Sequence, residues 1–187
     1  MRKYGLLILL AVAVVSLGCD ERTEQTDSGG VLLEAEFAAA SVPFRYSVNG
    51  DVTDFQAAVA GTLNITSIIP NIENPDTSVL MNVELEGVEF TYTRVDRGTR
   101  VPPPFFFNLL GTVSAGGSLS YNGMPILSIE QISNPPISDL LFENGGFDKE
   151  TGETVISMNV WVRAYGRTIS GREVQSTPRP HTVEFTQ

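Results

Sequence analysis

The chain has 187 residues, 42% of them hydrophobic and 18% charged, a composition that suits one globular domain or at most two small ones. Twenty-two acidic residues against twelve basic ones give a formal charge of −10, and no basic cluster with interleaved aromatics offsets it, so a nucleic-acid partner is disfavoured. A single cysteine and a single histidine exclude an intramolecular disulfide and a zinc site built from Cys and His.

Arg2 and Lys3 open the chain with positive charge, and Leu6 to Leu17 follow as an apolar run of signal-peptide length, too short for a comfortable bilayer span. The run ends in Ser16-Leu17-Gly18-Cys19, and Cys19 is the sole cysteine. This ending resembles the lipobox of bacterial lipoproteins, in which a small residue precedes a cysteine that takes a diacylglyceryl thioether and becomes the new N-terminus. The commonest form of the pattern has leucine where Ser16 stands, and Ser16 with Gly18 also suits the ordinary signal peptidase. The resemblance implies a signal peptide over 1–18, lipidation at Cys19 and a place at a bacterial cell envelope, periplasmic or surface-exposed.

Loss of 1–18 removes Arg2 and Lys3 and leaves ten basic against 22 acidic residues, a formal charge of −12. Residues 20–30 read DERTEQTDSGG, with too little apolar material to offset the entropy of ordering, so 19–30 are expected to be a flexible acidic linker.

From Val31 to the end, apolar residues recur with period two in short runs, which predicts half-buried strands and one domain over 31–187. Val31, Leu33, Ala35 and Phe37 alternate with Glu34 and Glu36. Val79 to Leu85 alternate likewise, then Gly87 intervenes and Val88, Phe90 and Tyr92 take over the inward parity, as a β-bulge or a crossing between sheets would require. Further strands are predicted over 63–69, 105–113, 118–121, 125–129, 155–165, 172–176 and 182–186. Asn49-Gly50, Asn122-Gly123 and Ser170-Gly171 read as hairpin turns. Residues 136–143 are the one helical candidate, with Pro136 suited to a first turn and Asn144-Gly145 as the stop.

About nine strands and one short helix without βα alternation predict an all-β fold, an antiparallel Greek-key β-sandwich. The glycine placement in Tyr165 to Val174 resembles the closing hairpin of bacterial immunoglobulin-like domains, which implies an immunoglobulin-like or fibronectin-III-like architecture and no activity.

Candidate sites are few. His181 has no G-x-S-x-G elbow to serve and reads as a surface loop residue. The segment from Glu143 to Glu153 has oxygen donors at loop spacing, so calcium is conceivable, but it departs from the D-x-[DN]-x-[DN]-G pattern and a solvated turn is favoured. Glu84, Glu86 and Glu89 read as a solvated strand face. Arg100 to Phe107 begin as extended polyproline and end in aromatics that should fill the core. Trp161, Arg163 and Tyr165 share the more polar face of one long strand, where they are a structural row or a ligand or partner contact. The reading is therefore a lipid-anchored binding or structural module, with a membrane, an envelope protein or a glycan as partner. No catalysis, cofactor or metal is expected. A carbohydrate-binding module is the alternative, and a hydrolase a further one.

Overall fold

The computed structural model describes residues 30–38, 44–47, 60–70 and 77–186. The expected signal peptide, Cys19 and Asn49-Gly50 lie outside the described residues, as do all but the last residue of the expected linker. Two sheets face one another. The first has the order β1 (Leu32–Phe37), β3 (Ala60–Ile68), β6 (Ser118–Pro125). The second has the order β2 (Phe44–Ser47), β9 (Arg179–Thr186), β7 (Val155–Thr168), β4 (Val83–Arg94), β5 (Phe105–Val113), and the short β8 (Glu173–Gln175) also pairs with β7. Neighbours run antiparallel except β2 and β9, which are parallel.

The period-two pattern builds the interior. In β7 every second residue from Ile156 to Ala164 is buried, and Val83, Leu85, Val88 and Phe90 of β4 meet the same layer. Across from them lie Leu33 and Ala35 of β1 with Leu63 and Ile65 of β3. Phe90 and Phe185 are fully buried, each contributing about 1.5–3 kcal/mol of transfer free energy.

The parity reversal at Gly87 is a bulge. The register shifts between Leu85 and Gly87 against both β5 and β7, so the buried series steps from Leu85 to Val88. Two glycines permit it. A Cβ on Gly87 would lie 2.4 Å from Cζ of Phe106 and 2.8 Å from the Phe107 carbonyl oxygen. One on Gly166, which pairs with Leu85, would lie 2.7 Å from the Glu84 carbonyl oxygen.

Several local expectations need correction. Asn122-Gly123 is not a hairpin turn: β6 runs through it, Gly123 takes φ +71°, and the register against β3 shifts between Gly61 and Leu63, so the pair forms a bulge. Val79–Met81 is a 3-10 turn that precedes β4 and is no part of it. The expected strand over 125–129 gives way to the only α-helix among the described residues, α1 (Ile129–Ser133). Ser128 and Gln131 form its capping box, a spacing already present in the sequence: the Gln131 amide donates to Ser128 Oγ (3.2 Å), and the Ser128 amide donates to Gln131 Oε1 (2.7 Å). Gln131 Nε2 also donates to the Pro103 carbonyl, and the Tyr92 hydroxyl donates to the Ile126 carbonyl (2.7 Å), which ties this segment to the second sheet. Residues 136–143, the expected helix, instead form two 3-10 turns, Ile137–Leu140 and Phe142–Asn144, with Pro136 before the first and Gly145 in the left-handed region after the second. Ser170-Gly171 does close the β7–β8 hairpin, with Gly171 at φ +94° and its amide on the Thr168 carbonyl (2.8 Å).

Candidate functional site

Alternation along β7 sets Trp161, Arg163 and Tyr165 on the outer face of the second sheet, all three half-buried. Register then decides their neighbours. Trp161 lies between Thr91 of β4 and Pro180 of β9, and its Nε1 donates to Thr93 Oγ1 (2.9 Å). Arg163 pairs with Glu89, and the Tyr165 hydroxyl donates to Glu89 Oε2 (2.7 Å) while accepting from Arg163 Nη1 at 3.5 Å. The Phe106 ring, 51% exposed, stands 6.0 Å from the Tyr165 ring and covers Gly87. The bulge is what allows this, because a side chain at position 87 would displace the ring. Glu89 and Phe106 therefore belong to the row, and neither is found from β7 alone. An aromatic surface with a carboxylate and a guanidinium between its rings can stack on a flat apolar face and hydrogen-bond its rim.

The second constellation is ionic. Arg94, its side chain 2% exposed, donates from Nε to Asp96 (2.6 Å) and from Nη2 to the fully buried Asp148 (2.8 Å). Arg100 Nη2 reaches Asp139 (2.8 Å) and Asp148 (3.1 Å), and Lys149 reaches Asp139 at 3.2 Å. Glu150 accepts from the Thr99 and Arg100 amides, both at 2.9 Å. Burial pushes the Asp148 carboxyl up. Hydrogen bonds from Arg94, from the Glu150 amide and from Thr151, together with the Arg94 charge, outweigh it and hold the group at about 2. Asp96 is lowered in the same way against its own desolvation, and Glu150 is lowered chiefly by the Thr99 hydroxyl and the two amides.

The segment from Glu143 to Glu153 is largely exposed, as a solvated turn would be, and the correction these contacts make is confined to Asp148. Asp148 is among the most buried residues, and the guanidinium groups of Arg94 and Arg100 occupy its carboxylate. No group of three or more His, Cys, Asp or Glu side chains suited to a metal is present among the described residues.

His181 is not a loop residue. It lies within β9 opposite Val160, half-buried, with its ring 5.3 Å from that of Phe37, and burial lowers its pKa. Of the aromatic triplet, Phe105 and Phe107 pack against the core while Phe106 turns outward, as alternation along β5 demands. Glu84 and Glu86 are exposed, and Arg167 lies 3.5 Å from Glu86.

Among the described residues no helix is long and apolar enough to cross a membrane. Comparisons with family models, with curated proteins and with solved structures find no match to this chain.

Proposed function

We propose that this is a lipid-anchored cell-envelope protein whose sandwich, over 31–187, is a binding or structural module without a catalytic role. The observation that carries the reading is the position of the sole cysteine, Cys19, at the end of an apolar run that begins after Arg2 and Lys3. One acyl chain holds a protein only marginally and two or three hold it stably, at about 0.8 kcal/mol per buried methylene. From Val31 onward the described residues form one compact unit, the body such an anchor would hold.

An immunoglobulin-like Greek-key class is supported by strand order. β1, β3 and β6 correspond to strands A, B and E of such a fold, and β9, β7, β4 and β5 to G, F, C and C′. The test of anchoring is phase partition of the protein made from the whole gene. The detergent-rich phase should retain it, and Cys19→Ala should release it to water. Equal behaviour of the two would remove the anchor.

A carbohydrate-binding reading is favoured by one feature, the half-accessible row of Phe106, Tyr165 and Trp161 on a single face. Trp161 emission should then shift with an added glycan and fail to do so after Tyr165→Ala. A Trp161 that soluble quenchers do not reach would sink that reading.

A further inference from the structure

We infer that the end of the sandwich from which the N-terminal chain departs is a membrane seat, where Leu32, Ile68, Val79, Leu80 and Ile169 contact the lipid surface that holds Cys19. The inference rests on the anchoring proposed above. These five side chains are 57, 39, 70, 55 and 43% exposed. Four separate segments bring them to one end. Leu32 is the Cα partner of Ile68. The Ile169 amide donates to the Asn82 carbonyl (2.9 Å) and the Ser170 amide to the Leu80 carbonyl (3.0 Å), which locks the β7–β8 turn against the 3-10 turn of Val79–Met81. The Ala115 amide donates to Asn82 Oδ1 (3.0 Å) and the Ser67 amide to the Gly117 carbonyl (2.9 Å), so the β5–β6 connection joins the same end.

Charge separates this end from the other. Across 30–32, 68–70, 77–82, 114–117 and 169–172 the only charged residue is Arg172, and the exposed Glu173 that follows it is paired with Arg167 at 2.9 Å. At the far end of β4 and β7, residues 95–101 and 142–153 carry five acidic and three basic residues, and the exposed Val95, Val101, Phe142 and Phe147 are interspersed among them. Residues 71–76, which join Pro70 to Thr77 and contain Glu73 and Asp76, lie outside the described residues. An apolar cluster with one arginine suits the headgroup and acyl boundary, whereas an acidic end is repelled by anionic headgroups.

Attachment acts in the same direction. Residues 20–30 reach at most about 38 Å when fully extended. The fourteen residues of β7 alone run about 45 Å. The end bearing Leu32 is thus the one that the anchor holds beside the bilayer. A tether of this length sets an effective concentration on the order of millimolar, so contacts too weak to recruit a free protein suffice to seat an attached one.

The test uses the chain from Cys19 onward, which contains every described residue, coupled through the Cys19 thiol to a maleimide lipid in phosphatidylcholine vesicles with brominated acyl chains. On a Trp161→Phe background, Leu80→Trp or Ile169→Trp is expected to shift to the blue on coupling, with emission quenched at least twofold by bromine. Phe142→Trp, at the other end, is expected to do neither. Equal quenching at both ends, none at Leu80→Trp and Ile169→Trp, or quenching at Phe142→Trp alone would overturn the seat. Because coupling is chemical, this result stands apart from whether the cell lipidates Cys19, which phase partition decides.

Discussion

Where β4 ends, Arg94 is enclosed between Asp96 and Asp148, and these two carboxylates also accept from the Gly98 and Glu150 amides and the Thr151 hydroxyl of the surrounding loops. Where β4 begins, the loops are held by backbone hydrogen bonds and by the neutral side chains of Ser78, Asn82 and Thr168, and Val79, Leu80 and Ile169 stand in the open. The first end depends on its side chains, since a buried guanidinium is tolerable only with carboxylates against it. The second is held by its backbone and a few short neutral side chains, so the exposed Val79, Leu80 and Ile169 are free to serve a contact without supporting the fold.

The largest break in this comparison is Asp148→Ala. It leaves the buried Arg94 guanidinium with Asp96 as its one carboxylate, beside the Arg100 carbonyl, and the cost expected for removing one partner of such a pair is about 3–5 kcal/mol, read as a fall in the urea midpoint at unchanged slope. A loss below about 1 kcal/mol would mean that the network is not a structural requirement.

Acid acts on the same end with a somewhat smaller effect. The Asp148 carboxyl titrates at about 2 in the fold, below its ordinary 3.8, so its contribution is complete above about pH 4 and is lost as pH falls towards 2. That contribution is on the order of 2 kcal/mol. Asp96 and Glu150 are lowered as well and act in the same direction. His181, lowered by burial, adds a loss that begins as pH drops below its ordinary 6.5. Denaturant titrations at pH 7, 4 and 2.5 should show the steep part between the last two, and in Asp148→Ala that part should shrink.

The smallest expected effect is at the other end. Leu80→Ser with Ile169→Ser should move stability by no more than about 0.5 kcal/mol per site while weakening the bilayer contact of the tethered chain. A substantial loss of stability would place these side chains among those supporting the fold and erase the contrast.

Much of the architecture was legible because alternation is local. Period two in β1 and β7 gave the inward faces, and the flip at Gly87 marked the place of the bulge, whereas the expectation that the whole Phe105–Phe107 triplet fills the core failed at the outward Phe106. Asn122-Gly123 misled because the same dipeptide serves a hairpin or a bulge, and the choice is made by pairing with β3, sixty residues earlier. The capping box of Ser128 and Gln131 was readable, but a short apolar run of 125–129 looks equally like a strand. Long-range side-chain pairs were not readable at all. Arg94 meets Asp148 across 54 residues of chain, and Phe106 meets Tyr165 only because β5 and β7 flank the glycine of β4. Parity placed Trp161, Arg163 and Tyr165 together, while their bonds to Thr93 and Glu89 required the register.

The most direct test of the whole account is the mass of the N-terminal peptide of the protein recovered from envelope membranes. It should begin at Cys19 and carry a diacylglyceryl group on the sulfur. A peptide beginning elsewhere, or a bare Cys19 thiol, would contradict it.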